Sequence, residues 1–130
     1  MDTQPTHGVT IGLSSSHASE GTVAPASVMF TAANWNVAQT VTVIGVDDLL
    51  DDGDVTFTII TGPAVSGDAN YSGMNAADVT VQNVDDDTAG ITVTPTSGLT
   101  VTEAGGTASF TAVLAAQPAT NVVLSVTTGD

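Results

Sequence analysis

Val55-Thr56-Phe57-Thr58-Ile59 alternates apolar side chains with threonine, and that alternation decides the fold. A period of two puts Val55, Phe57 and Ile59 on one face of an extended strand and the threonines on the other. β-Branched and aromatic residues suit a pleated surface that is buried on one side. The pattern recurs toward the N-terminus in Val41 and Val43, with Gly45 as an extension, in Val28 and Phe30, and in Val9, Ile11 and Leu13. Toward the C-terminus it recurs in Val79 and Val81, Ile91 and Val93, Leu99 and Val101, then Phe110, Ala112 and Leu114, and finally Val122, Leu124 and Val126. Turn-forming stretches separate these runs: Ser14-Ser15-Ser16, Ala33-Asn34, Asp51-Asp52-Gly53, Gly62-Pro63, Ser66-Gly67-Asp68, Ala104-Gly105-Gly106 and Gln117-Pro118. No segment carries a helical stripe. The spacing predicts an all-β, antiparallel β-sandwich of about seven strands.

Composition bounds the function. The 130 residues suffice for one sandwich of ordinary size. Fourteen Asp and Glu residues face no Lys or Arg, for a formal charge of −14. No carboxylate can find a Lys or Arg partner within the chain, so solvent, salt or bound cations must relieve the repulsion. Nucleic acid, itself an anion, is a poor partner. The absence of cysteine excludes disulfides and thiol chemistry. Nothing resembles a membrane span, and Met1-Asp2-Thr3-Gln4 lacks the basic start and apolar stretch of a signal segment, so Met1 reads as the start of a fragment. With 42% hydrophobic residues, mostly small, a buried β core is favoured over disorder.

The acidic residues are not spread evenly. One cluster is Val46-Asp47-Asp48-Leu49-Leu50-Asp51-Asp52-Gly53-Asp54, between two strand-like runs. The other is Val84-Asp85-Asp86-Asp87-Thr88-Ala89-Gly90, directly after the run Val79 to Val81. Adjacent carboxylates at strand ends repel unless something neutralises them. Calcium does this well, taking six to eight oxygen ligands from flexible loops. Asp47, Asp48, Asp51, Asp52, Asp85, Asp86 and Asp87 are therefore candidate metal ligands. The plainer alternative is a pair of solvated loops that discourage edge-to-edge pairing. The EF-hand spacing and the nonapeptide calcium repeat are both absent.

A weak internal repeat runs through the chain. Gln4-Pro5 matches Gln117-Pro118, and in the same register Val9-Thr10-Ile11-Gly12-Leu13-Ser14-Ser15 aligns on Val122-Val123-Leu124-Ser125-Val126-Thr127-Thr128. Apolar residues fall on apolar residues. The expected organisation is residues 1–87 as the later strands of one repeat, 88–90 as a linker, and 91–130 as the opening strands of the next. Residues 91–114 are then expected to project and complete a neighbouring chain's sandwich, head to tail, by strand donation.

The clusters, taken with Val101-Thr102-Glu103-Ala104-Gly105-Gly106-Thr107-Ala108-Ser109-Phe110, resemble the Calx-β family of calcium-binding extracellular repeats. The resemblance touches most of residues 23–130. It implies an immunoglobulin-like sandwich with calcium at one end. It assigns Asp47, Asp48 and Asp52 to a middle loop, Asp85, Asp86 and Asp87 to the last strand, and Glu103 to the opening strand. Glu20 falls near a further acid of the family. Val55 and Leu49 stand where the family has acids, which implies one or two ions, not a full cluster. Glu103 would join Asp47 and residues 85–87 of another chain.

The expected function is a calcium-stiffened structural module of an extracellular adhesin, surface fibre or filament. The alternative is a module that recognises carbohydrate or protein, although Trp35 and Tyr71 are lone aromatics. An enzyme is not expected: His7 and His17 lie on early loops without a nucleophile nearby, and residues 14–16 are a turn-type serine run. Paired carboxylates could cleave a glycosidic bond, but five aromatic residues do not furnish a sugar cleft.

Overall fold

The computed structural model describes residues 3–130; the expectation placed on Met1 lies outside them. Among the described residues there is no helix, and every paired strand is antiparallel. The chain divides into two compact units, one running to Asp47 and resuming over Asp54–Val84, the other formed by Asp48–Gly53 and Asp85–Asp130.

The first unit holds seven strands: β1 (Val9–Ser15), β2 (Gly21–Ala24), β3 (Ser27–Phe30), β4 (Thr42–Gly45), β5 (Val55–Thr61), β6 (Val65–Ser66) and β7 (Val79–Asn83). One sheet has the order β3-β1-β5-β7, with β6 also on β1; the other is the pair β2-β4. Two antiparallel sheets in one unit give it a sandwich-like character.

The long central strand β1 needs two successive partners on one side. Leu13 faces Thr61 on β5, whereas Thr10 faces Val65 on β6. An unbroken register would set Thr10 opposite Ala64, so one extra residue sits in the ladder, as in a β-bulge. Pro63 has no amide hydrogen to lend there, and Gly62 N–H donates to Gly12 O at 2.9 Å in its place. The slip frees Ala64 to enter the core, where it is 5% exposed beside the fully buried Val9 and beside Tyr71.

Glycine brings the two sheets close. Gly21 and Gly45 face each other across β2 and β4. A Cβ on Gly21 would lie 2.1 Å from Phe57 Cζ, and one on Gly45 would lie 2.8 Å from Asn83 Oδ1. Phe57 and Asn83 share a face of the β5-β7 ladder, where Phe57 pairs with Val81 and Asn83 with Val55. Both side chains therefore reach the backbone of the opposite sheet through gaps that only glycine leaves.

Two polar ties fix the loops of this unit. The Tyr71 hydroxyl donates to Thr3 O and meets Thr3 Oγ1 at 2.9 Å. The Asp68 carboxylate, 5% exposed, accepts from Thr6 N–H and Asn70 N–H, each at 2.9 Å. Those amides, Thr6 first, hold the Asp68 carboxyl below the usual carboxylate range.

The second unit carries one hairpin, β8 (Ile91–Thr94) with β9 (Thr111–Leu114). All four residues of β9 are exposed. The alternating runs at Leu99 and Val101 and at residues 122–126 are not strands among the described residues. Alternation marks a face fit for burial, but a strand also needs a neighbour's open ladder. Val126 has none and stays 66% exposed. Sequence alternation also passes over β2, which begins on glycine and holds one valine, and β6, two residues long and set by the bulge.

Candidate metal centre

Both acidic segments continue strands. β4 ends at Gly45, two residues before Asp47, and β7 ends at Asn83, two residues before Asp85. The loop Asp48–Gly53 belongs with residues 85–130 in the second unit. Hydrogen bonds hold it there. Gly53 N–H donates to Asp85 Oδ2 at 2.7 Å, Ala89 N–H to Asp51 Oδ2 at 2.8 Å, and Gln117 N–H to Leu49 O at 2.6 Å. The two clusters that are 32 residues apart at Gly53 and Asp85 thus become one acidic neighbourhood.

Within it the carboxylates are paired off. Oxygens of Asp48 and Asp52 lie within 4.8 Å of each other, and so do oxygens of Asp86 and Asp87. A calcium ion bonds oxygen at roughly 2.4 Å, so one ion can touch both members of such a pair. Asp85 has a different task. Its Oδ1 accepts from Asp87 N–H at 2.9 Å while Oδ2 takes Gly53 N–H. These amides, Asp87 first, hold its carboxyl below the usual range. Asp85 organises the loop, and Asp48 does so locally by accepting from Leu50 N–H at 3.0 Å. The donor set is oxygen throughout, on loops, and suits a hard divalent cation better than a soft one.

Three sequence-derived candidates remain: Glu103, Glu20 and Asp47. Glu103 is exposed on a turn at residues 103–105 and joins none of these close carboxylate sets. Glu20 and Asp47 belong to the first unit. Glu20 is 9% exposed, and its Oε2 accepts from Asn83 Nδ2 at 3.1 Å. Asn83 Nδ2 also reaches Val46 O at 3.0 Å, and Val46 N–H returns to Glu20 O at 2.9 Å. Asn83 was missed from sequence; the available signal is an amide at an inward position of a strand that otherwise turns Val79 and Val81 the same way. His7 and His17 are exposed on loops.

No family model, curated protein or solved structure matches the chain.

Proposed function

We propose that this chain is a calcium-binding structural module, an immunoglobulin-like sandwich of Calx-β type, serving in an extracellular or cell-surface fibre, adhesin or filament. The observation that carries the reading is the double acceptance at Asp85. It fastens the Asp48–Gly53 loop onto residues 85–87, and so gathers six aspartates in one unit of a chain without a Lys or Arg. Gathering like charges costs free energy that a divalent cation returns. Asp48, Asp52, Asp86 and Asp87 supply the ligands, and Asp85 and Asp51 position them. Calcium then rigidifies the segment between one set of strands and the next. Calorimetric titration with calcium tests this directly: saturable heat is expected in wild type, and its absence refutes the reading.

A further inference from the structure

From the distribution of charge and of open strand edges, we infer that this chain self-associates head to tail, β9 of one copy adding to the open edge of β4 in the next. The first unit's sheets are unequal. The β2-β4 pair opposes a sheet of four strands in line, and part of the core stays uncovered. Val9, Ile11, Ala64, Tyr71 and Met74 line an open pocket of 600 Å³. The smaller sheet is short of strands, and the second unit displays two that belong to no larger sheet.

Edge chemistry selects which strands meet. Charge and proline are the usual guards of an exposed edge. β2 is guarded by Pro25, directly after it. β4 has no such guard within it or before it: residues 26–46 contain no proline and no ionisable side chain, the first acid follows at Asp47, and Ile44 is 56% exposed. β8 runs into Pro95, whereas β9 continues residues 107–110 without a charge or a proline. In a chain of charge −14 with no Lys or Arg, two copies repel wherever their acids approach. Contact between copies is left to the uncharged tracts, and β4 and β9 lie in them. Added beside β4, β9 presents Ala112 and Leu114 on one face, with Phe110 just before them in the same alternation, extending the inward face that Val43 and Gly45 begin.

The internal repeat supports the direction of addition. Residues 122–128 repeat the pattern of β1 yet have no strand partner among the described residues. The segment containing β8 and β9 therefore precedes a β1-like sequence, as the opening of a further set of strands would. A contact that uses different surfaces on the two copies does not close on itself and propagates into chains.

Sedimentation velocity on the full chain, over a concentration series in calcium and again in EDTA with high salt, tests this. Wild type is expected to form a ladder of oligomers that persists in EDTA once salt screens the acids. Ala112→Pro in β9 and Ile44→Glu on β4 should each be monomeric, with circular dichroism confirming that each remains folded. Mixed, they should give a 1:1 complex of twice 12.9 kDa and nothing longer, because one variant keeps an intact β4 and the other an intact β9. A wild type that stays monomeric throughout, or variants that associate like wild type, overturns the proposal. So does an association that high salt and EDTA abolish, since that marks calcium bridging alone. A ladder without calcium heat would sink the calcium reading and leave this one standing.

Discussion

Gly21 and Phe57 share one volume: the ring occupies the place where any side chain on residue 21 would begin. A Cβ there would sit 2.1 Å from Phe57 Cζ, and Phe57, only 3% exposed, has no free direction in which to withdraw. Gly21→Ala is therefore expected to destabilise the first unit by about 1–3 kcal/mol through overpacking. Phe57→Ala should cost about 3–5 kcal/mol by emptying the same place. Urea denaturation followed by circular dichroism checks both. In the double variant the alanine at 21 should add little further loss, because the ring it would strike is gone.

Calcium is expected to raise stability. A site with a dissociation constant of ~10 μM should add about 2.7 kcal/mol at about 1 mM free ion. Thermal unfolding in calcium against EDTA reads this out. Asp48→Asn and Asp52→Asn should each lower the affinity measured by calorimetry, while Glu103→Gln should leave it unchanged in dilute solution.

The response to acid follows from Asp85 and Asp68. Both carboxyls are more acidic in the folded chain than unfolded, held down mainly by Asp87 and Gly53 amides for Asp85, and by Thr6 and Asn70 amides for Asp68. Their stabilisation is complete above the ordinary Asp pKa of about 3.9 and is lost as pH falls through the lower folded values. The melting temperature should show no pH dependence from these two groups near neutral pH, where their contribution is complete, and should fall on the acid side of that value. Asp85→Asn and Asp68→Asn should each make that acid limb shallower, at the expense of lower stability at pH 7.

Tyr71→Phe removes the hydroxyl that Thr3 contacts through its carbonyl, amide and side chain. Loss of a part-buried tie of this kind should cost about 1 kcal/mol. Amide hydrogen exchange should show faster exchange at Thr3 and little change at β5 and β7.

Much of the architecture is legible from alternation alone, because β1, β3, β5, β7 and β8 each contain one of the alternating runs and β4 and β9 hold all but the first residue of theirs. Two strands are not legible. Gly21–Ala24 pairs because glycine lets Phe57 in, and nothing local to those residues announces a ring that arrives from a strand 30-odd positions away. Val65–Ser66 exists because the ladder on β1 slips past Pro63. Conversely, residues 122–126 have a strand's pattern without a strand's neighbour. At the acidic loops, sequence identifies the carboxylates by their density, but not their division of labour. That Asp85 spends both oxygens on backbone amides, and that Glu20 leans on Asn83, are facts of distance between segments. The grouping of Glu103 with the aspartates rests on family resemblance, and its turn joins none of the close carboxylate sets.

The fastening of Thr3 to Tyr71 has a mechanical consequence. Tension applied to the chain ahead of Thr3 meets this clasp before it reaches Val9, the first residue of β1. Load is shunted into residues 68–71, themselves clamped by Asp68 to Thr6, and the central strand is spared from being peeled from its end. Rupture then requires β1 to slide against β3 and β5 together, so the first unit should yield abruptly under pulling, not unravel bond by bond.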